Sequence, residues 1–356
     1  MNYFENYVSN SLAASGNQLY FVSDNTKQLS RVFYKIFKGG KNEYSFLFTN
    51  SIDSTYSDGK ISVANEKCES WDMKASLLVI DGNETNLEDP KIMEKLPLTF
   101  GGRAEKTVIS GEIFYSDPVI VGVKKNDYFC IEIEFKGTKI PYFEEIIIPT
   151  YRLYNGKWIA DKKAPISAMI GVKRQVKKKI GFLGDSITEG IGTAMNSYTH
   201  WNALIAENLG EENSYWNLGI GFGRANDAAT DGEWLYKAKQ LDLATICYGV
   251  NDLGRGYTTD EIKNNLLKIV KILNENNVKT ILFTVPPFDY DPDTTKRWKD
   301  INSYILNELS KITDVYDVAK IWGKDHPNEN MAKYGGHPNE IGCRVMAEDF
   351  LSKFSL

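Results

Sequence analysis

The sequence predicts a chain in two parts, an antiparallel β half followed by an α/β half built on a doubly wound parallel sheet. Three observations carry this. At 356 residues the chain is longer than one hydrophobic core usually organises. Residues 18–170 are filled with short β-branched and aromatic runs separated by Gly, Asn, Asp or Lys turns, with no helical pattern between them. From Lys178 onward the rhythm becomes strand, helix, strand, helix. We place a β-sandwich of jelly-roll type over residues 1–175 and an α/β domain over residues 176–356.

In the first half the clearest strands are Gln18–Val22, Tyr44–Phe48, Ser76–Ile80, Val119–Val123 and Tyr128–Glu134. In the second half strands are expected at Ile180–Leu183, Ser214–Leu218, Leu243–Tyr248, Thr280–Val285 and Val315–Val318. Helices are expected at Ser197–Leu209, Asp227–Lys239, Thr259–Asn274, Thr294–Ile312 and Glu340–Phe354. Thr258 followed three positions later by Glu261 is a capping box for the third of these.

Composition excludes several functions. A hydrophobic fraction of 42% with 25% charged residues suits a globular protein. A net charge of -5 argues against nucleic acid as the partner, because a phosphate-binding face needs clustered cations. The one basic run, from Lys173 to Lys179, reads as a solvated linker. No stretch is apolar enough to span a bilayer, and residues 1–17 lack a basic segment followed by an apolar core. Cys68, Cys130, Cys247 and Cys343 show no metal-binding spacing. Buried free thiols and a cytoplasmic location are the expectation.

Ligands of doubly wound sheets sit beyond the carboxyl ends of the strands. The first strand stops at Gly184-Asp185-Ser186, the second at Asn217-Leu218-Gly219-Ile220-Gly221-Phe222-Gly223-Arg224, and the third at Gly249-Val250-Asn251-Asp252. His337-Pro338-Asn339 precedes the last helix. A serine in a glycine-flanked turn suits a nucleophile, and a histidine can take and return its proton. Backbone N–H groups of Ser186, Phe222 and Gly223, with the Asn251 amide, would meet the resulting oxyanion. Asp185, Arg224, Tyr257 and Phe288 are the candidates for touching substrate, although Asp185 also reads as a loop-ordering side chain and Arg224 equally as half of an ion pair. Asp252 reads as a turn cap, and His200 as a surface or packing residue with a substrate-wall role as the alternative. The glycines at 219, 221 and 223 do not form GxGxxG and do not follow the first strand, so a dinucleotide site is disfavoured. The aromatics near strand ends, Phe222, Trp234, Tyr257, Phe288, Tyr290 and Trp298, are types that line sugar sites as well as cores.

These four blocks, in this order, resemble those of the SGNH, or GDSL-type, hydrolases over residues 178–356. In the β half, Pro97-Leu98-Thr99-Phe100-Gly101-Gly102-Arg103 followed by Ser116-Asp117-Pro118-Val119 is similar to the β domain of two-domain esterases, and the layout resembles family 2 carbohydrate esterases. The resemblance implies a flavodoxin-like three-layer α/β/α domain, no metal or other cofactor, and ester hydrolysis through an acyl-enzyme. The chain departs from the pattern in two places. Tyr334 stands where the family has an aspartate three residues before the histidine, leaving a Ser–His dyad, the Tyr334 hydroxyl, or a carboxylate such as Asp325 or Asp317 to orient His337. Phe222 stands where the oxyanion loop has a glycine. Asp325-His326-Pro327-Asn328 repeats the histidine triplet, but Gly342 and an immediate helix favour His337. The expected substrate is a small-molecule or oligosaccharide ester with a short acyl group, acetyl above all. The competing readings are an inactive carbohydrate-binding protein, prompted by Tyr334, and a lipid esterase or thioesterase of the same fold.

Overall fold

The computed structural model describes residues 2–55, 63–323, 328–333 and 335–356. The described chain divides into two compact units, one comprising residues 2–53, 63–176 and 214–216, the other residues 54–55, 177–213 and 217 onward.

The first unit holds two large antiparallel sheets, beside a two-stranded one that pairs Leu19–Val22 with Lys139–Tyr142. The seven-stranded one runs, in order, Lys157–Ala160, Thr150–Tyr154, Gln28–Lys35, Tyr128–Lys136, Trp71–Ile80 and Ile92–Leu98, with Glu105–Val108 also paired to Trp71–Ile80. The five-stranded one runs Val8–Ser9, Met169–Val172, Gly40–Thr49 and Ile113–Tyr115, with Val119–Val123 also on Gly40–Thr49. The strand Trp71–Ile80 shows the alternation of a sheet with one face in water at its start and burial throughout at its end. Phe129 joins the two sheets: its ring packs edge-on against Tyr44 at 4.8 Å and Phe46 at 6.0 Å.

From Lys179 onward we number elements along the chain: β1 Lys179–Gly184, α1 Ser186–Glu189, α2 Trp201–Leu209, β2 Ser214–Gly219, α3 Ala225–Ala228, α4 Glu233–Ala238, β3 Leu243–Cys247, α5 Val250–Gly254, α6 Thr259–Glu275, β4 Lys279–Phe283, α7 Pro292–Asn307, β5 Asp314–Tyr316, α8 Val318–Trp322 and α9 Glu340–Lys353. The sheet order is β2-β1-β3-β4-β5, and the β1/β3, β3/β4 and β4/β5 pairs are parallel. Such an order reverses direction between β1 and β3, and the crevice outside their carboxyl ends is where this topology places ligands. Burial on both faces explains why β3 reads as an apolar run interrupted only by Thr245.

Several expectations needed revision. Asp227–Lys239 is two short helices, because Asp231 adopts a left-handed φ of 62° and breaks the turn before Gly232. The helix expected from Ser197 begins at Trp201, capped by His200. The helix expected at Thr294–Ile312 begins earlier, at Pro292, where Asp291 caps it, and gives way to a 3-10 turn at Leu309–Lys311. The capping box at Thr258 and Glu261 is formed in full. On α6 the residues Ile262, Leu266, Ile269, Val270 and Leu273 share the buried face. Leu266 is fully buried, so Leu266→Ala should lower stability by about 2–5 kcal/mol, read as a lower denaturant midpoint at unchanged m-value.

Candidate active site

Ser186 is the first residue of α1, at the carboxyl end of β1. The Asp185 side chain caps the helix, accepting from the Ile187 N–H at 3.0 Å, and Gly190 closes it with a φ of 118°. Asp185 is 1% exposed, so its carboxylate orders the turn; the substrate-contact role considered for it is corrected by that burial. Gly184 is required sterically, since a Cβ there would lie 2.7 Å from the Cys247 carbonyl oxygen and 2.0 Å from Thr188 Oγ1.

One turn of helix leaves its carbonyls without intrahelical donors. Here every one is met. Ser186 O accepts from the N–H groups of Gly190 and Ile191, both at 3.0 Å. Ile187 O accepts from Trp201 Nε1 at 3.1 Å, Thr188 O from Asn202 Nδ2 at 2.6 Å, and Glu189 O from Asn217 Nδ2 at 3.3 Å. Those donors come from α2 and β2, and none was singled out from sequence, because an Asn or Trp in an element interior carries no local signal of its partner.

His337 approaches from the loop before α9. Its Nε2 lies 2.9 Å from Ser186 Oγ. The loop is pinned on both sides: Lys333 N–H donates to His337 O at 2.8 Å, and Asn339 N–H to Met331 O at 2.9 Å, while the Asn339 side chain caps α9. Gly192 lies beneath it with a φ of 105°, and a Cβ there would sit 2.3 Å from Pro338 O. The Phe288 ring stands edge-on to the imidazole, 5.3 Å between centroids. Tyr334, Asp325 and His326 lie outside the described residues. Asp317, one of the alternatives for orienting His337, instead caps α8 and accepts from Thr284 Oγ1 at 3.1 Å.

The loop after β2 places Phe222 at a φ of 59°, a left-handed conformation that costs a bulky side chain energy and is tolerated where surroundings enforce it. The Gly223 N–H donates to Ile220 O at 3.0 Å, which corrects its expected place among the oxyanion donors: it is spent within the turn. Asn251 Nδ2 donates to Gly223 O at 3.0 Å, using one of the two N–H bonds of its amide. Asp252, fully buried, accepts from the N–H groups of Ala225 at 2.9 Å and Asn226 at 3.1 Å. Burial pushes its carboxyl up to about 6 against the pull of those two amides. The dipeptide 251–252 therefore grips the loop at both ends.

Arg224 is 2% exposed and pairs bidentately with Asp227, Nε to Oδ2 at 2.7 Å and Nη2 to Oδ1 at 2.9 Å. Its proposed contact with substrate is thereby corrected to the ion-pair alternative. Tyr257 and Phe288 are half-buried, as are Phe222 and Tyr290. Trp234 and Trp298 are core, their Nε1 groups donating to Leu218 O and Val285 O. Arg255 extends its guanidinium over the Phe222 ring at 5.9 Å. The four cysteines are buried and free. Among the described residues no cluster of His, Cys, Asp and Glu is arranged to hold a metal, and no helix is long and apolar enough to cross a membrane.

Residues 182–345 match the model of the GDSL-like lipase/acylhydrolase family. An uncharacterized protein of Mycoplasma pneumoniae is 25% identical over 170 residues, a match that takes in 44% of this chain and 19% of that protein's length. Among solved structures, the acetyl xylan esterase AlAXEase aligns at 21% identity over 49% of this chain and 99% of its own, with a TM-score of 0.43. A family two carbohydrate esterase from Clostridium thermocellum aligns at 12% identity over 95% of this chain and 96% of its own, with a TM-score of 0.40.

His200 supplies a stability test. Its Nδ1 accepts from Ala203 N–H at 3.3 Å, and burial lowers its pKa to about 4. The unfolded chain therefore binds a proton that the folded one refuses as pH falls from about 6.5 to 4, and stability drops over that window by about 3 kcal/mol. The variant His200→Asn keeps a capping oxygen and loses the titration. Its urea midpoint should fall less than the wild type's between pH 7 and pH 4.5.

Proposed function

We propose that this ester hydrolase, whose residues 182–345 are a domain of the GDSL-like lipase/acylhydrolase family, removes short acyl groups, acetyl above all, from a carbohydrate. The observation that carries the mechanism is the 2.9 Å separation of Ser186 Oγ and His337 Nε2 at the crevice between β1 and β3. The architecture proposed around it is a three-layer α/β/α domain preceded by a jelly-roll-like sandwich, supported by the parallel strand order and the two antiparallel sheets.

In this reading Ser186 Oγ attacks the ester carbonyl while its proton passes to His337 Nε2. The carbonyl oxygen becomes an oxyanion. Three groups support its stabilisation: the Ser186 N–H, which opens α1 and so lacks an intrahelical acceptor, the Phe222 N–H, and the second N–H of the Asn251 amide. Collapse expels the alcohol, which takes the proton from His337. Water, deprotonated by the same nitrogen, then attacks the acyl-enzyme and releases the acid and Ser186. No step calls for a cofactor.

Half-buried Phe222, Tyr257, Phe288 and Tyr290 support a sugar ester as the substrate, since such rings offer flat apolar faces and the two tyrosines add a hydroxyl at the edge. The buried free thiols support a reducing compartment, and we place the enzyme in the cytoplasm.

Ser186→Ala should lower p-nitrophenyl acetate hydrolysis by at least about a thousandfold, the scale of removing a nucleophile that works with its base as a unit. Retained activity would reject the nucleophile. Asn251→Ala should lower kcat by about 10²–10³-fold with KM little changed, as for loss of one oxyanion donor. In a series of p-nitrophenyl esters kcat/KM should peak at acetate; a maximum at long chains would point to a lipid ester instead.

A further inference from the structure

The second unit takes in residues 54 and 55 from the strand Ser51–Thr55. Ser54 is fully buried, and its hydroxyl donates to Asp227, 173 residues further along the chain. The same carboxylate holds Arg224 by two hydrogen bonds. Both members of that ion pair are buried, Arg224 at 2% and Asp227 at 3% exposure.

A buried ion pair recovers the cost of leaving water only when its geometry is good and its remaining lone pairs are satisfied. Ser54 satisfies one of them. Burial raises the Asp227 carboxyl, while its bonds to Arg224 and Ser54 pull it back toward the charged form. Arg224 is also the N-cap residue of α3 and has no side-chain cap of its own. Its backbone is the joint between the left-handed Phe222 with its neighbour Gly223 and the two amides that Asp252 holds. A loop strained at Phe222 keeps its shape only if its neighbours are fixed. The joint would otherwise be free to relax toward an ordinary φ at Phe222, which would swing that residue's N–H.

We propose that Ser54 is a positioning residue for the oxyanion loop: through Asp227 it fixes Arg224, and with it the direction of the Phe222 N–H. This rests on the esterase reading above. Ser54 touches neither substrate nor Ser186, so its effect belongs in kcat, where the charge develops, and not in ground-state binding.

The test compares kcat and KM for p-nitrophenyl acetate, together with Tm, in the wild-type chain and in Ser54→Ala, Ser54→Thr, Asp227→Asn and the Ser54→Ala/Asp227→Asn pair. Ser54→Ala should lower kcat about tenfold with KM within about twofold, the order expected when a catalytic dipole is slightly misdirected. Ser54→Thr, which keeps the hydroxyl, should recover most of the loss. Adding Ser54→Ala to Asp227→Asn should cost nothing further, because the hydroxyl acts through that carboxylate. A kcat loss that tracks a fall in Tm and adds fully to that of Asp227→Asn would overturn the proposal. An inactive Ser186→Ala beside a Ser54→Ala at wild-type kcat would remove this proposal alone, whereas a fully active Ser186→Ala would remove the esterase reading and this proposal with it.

Discussion

A buried helix of one turn cannot satisfy its own backbone, and the site is organised around solving that problem for α1. Its four carbonyls need donors from outside the turn, because water does not reach them. The chain supplies them from Gly190, Ile191, Trp201, Asn202 and Asn217. Those bonds fix α2 against α1 and the end of β2 beside the turn. Once β2 is fixed there, the loop that follows it passes the carboxyl end of β1, where the Ile220 N–H donates to Gly184 O at 3.1 Å. The strand order then brings Asn251 to the same crevice from β3.

The second requirement is rigidity in the loop after β2 and the first residues of α3. Residues 222–226 are held by Asn251 at Gly223, by Asp252 at Ala225 and Asn226, and by the Arg224–Asp227 pair with Ser54 behind it. Each bond to a charged group in a dry setting is worth more than its equivalent at a surface, and each leaves a costly orphan if removed. The dryness that makes the bonds strong also perturbs the acids: Asp252 is pushed up to about 6 and Asp227 is raised as well. Burial of the neutral His200 has the opposite consequence at low pH.

The sequence disclosed what local pattern governs. Short, mainly apolar runs marked β1 and β3, the Thr258–Glu261 box marked the start of α6, and abrupt ends at Gly184 and Gly249 marked where to search. It concealed what depends on distant partners. The one-turn helices α1, α5 and α8 are too short for a periodic signal. Arg224 looked as much like a substrate contact as an ion-pair member, because nothing near it in sequence shows that its pair with Asp227 is sealed by Ser54. Gly223 looked like an oxyanion donor, but its N–H closes the turn that Phe222 opens. Trp234 and Trp298 counted as possible sugar platforms until their burial and indole bonds showed them to be core.

Whether His337 activates Ser186 as a nucleophile is read directly by covalent labelling. The full chain is treated with a fluorophosphonate and digested, and the adduct is located by mass spectrometry. One adduct is expected, on Ser186, formed far more slowly in His337→Ala. An unlabelled Ser186, or labelling at the same rate without His337, would contradict that activation.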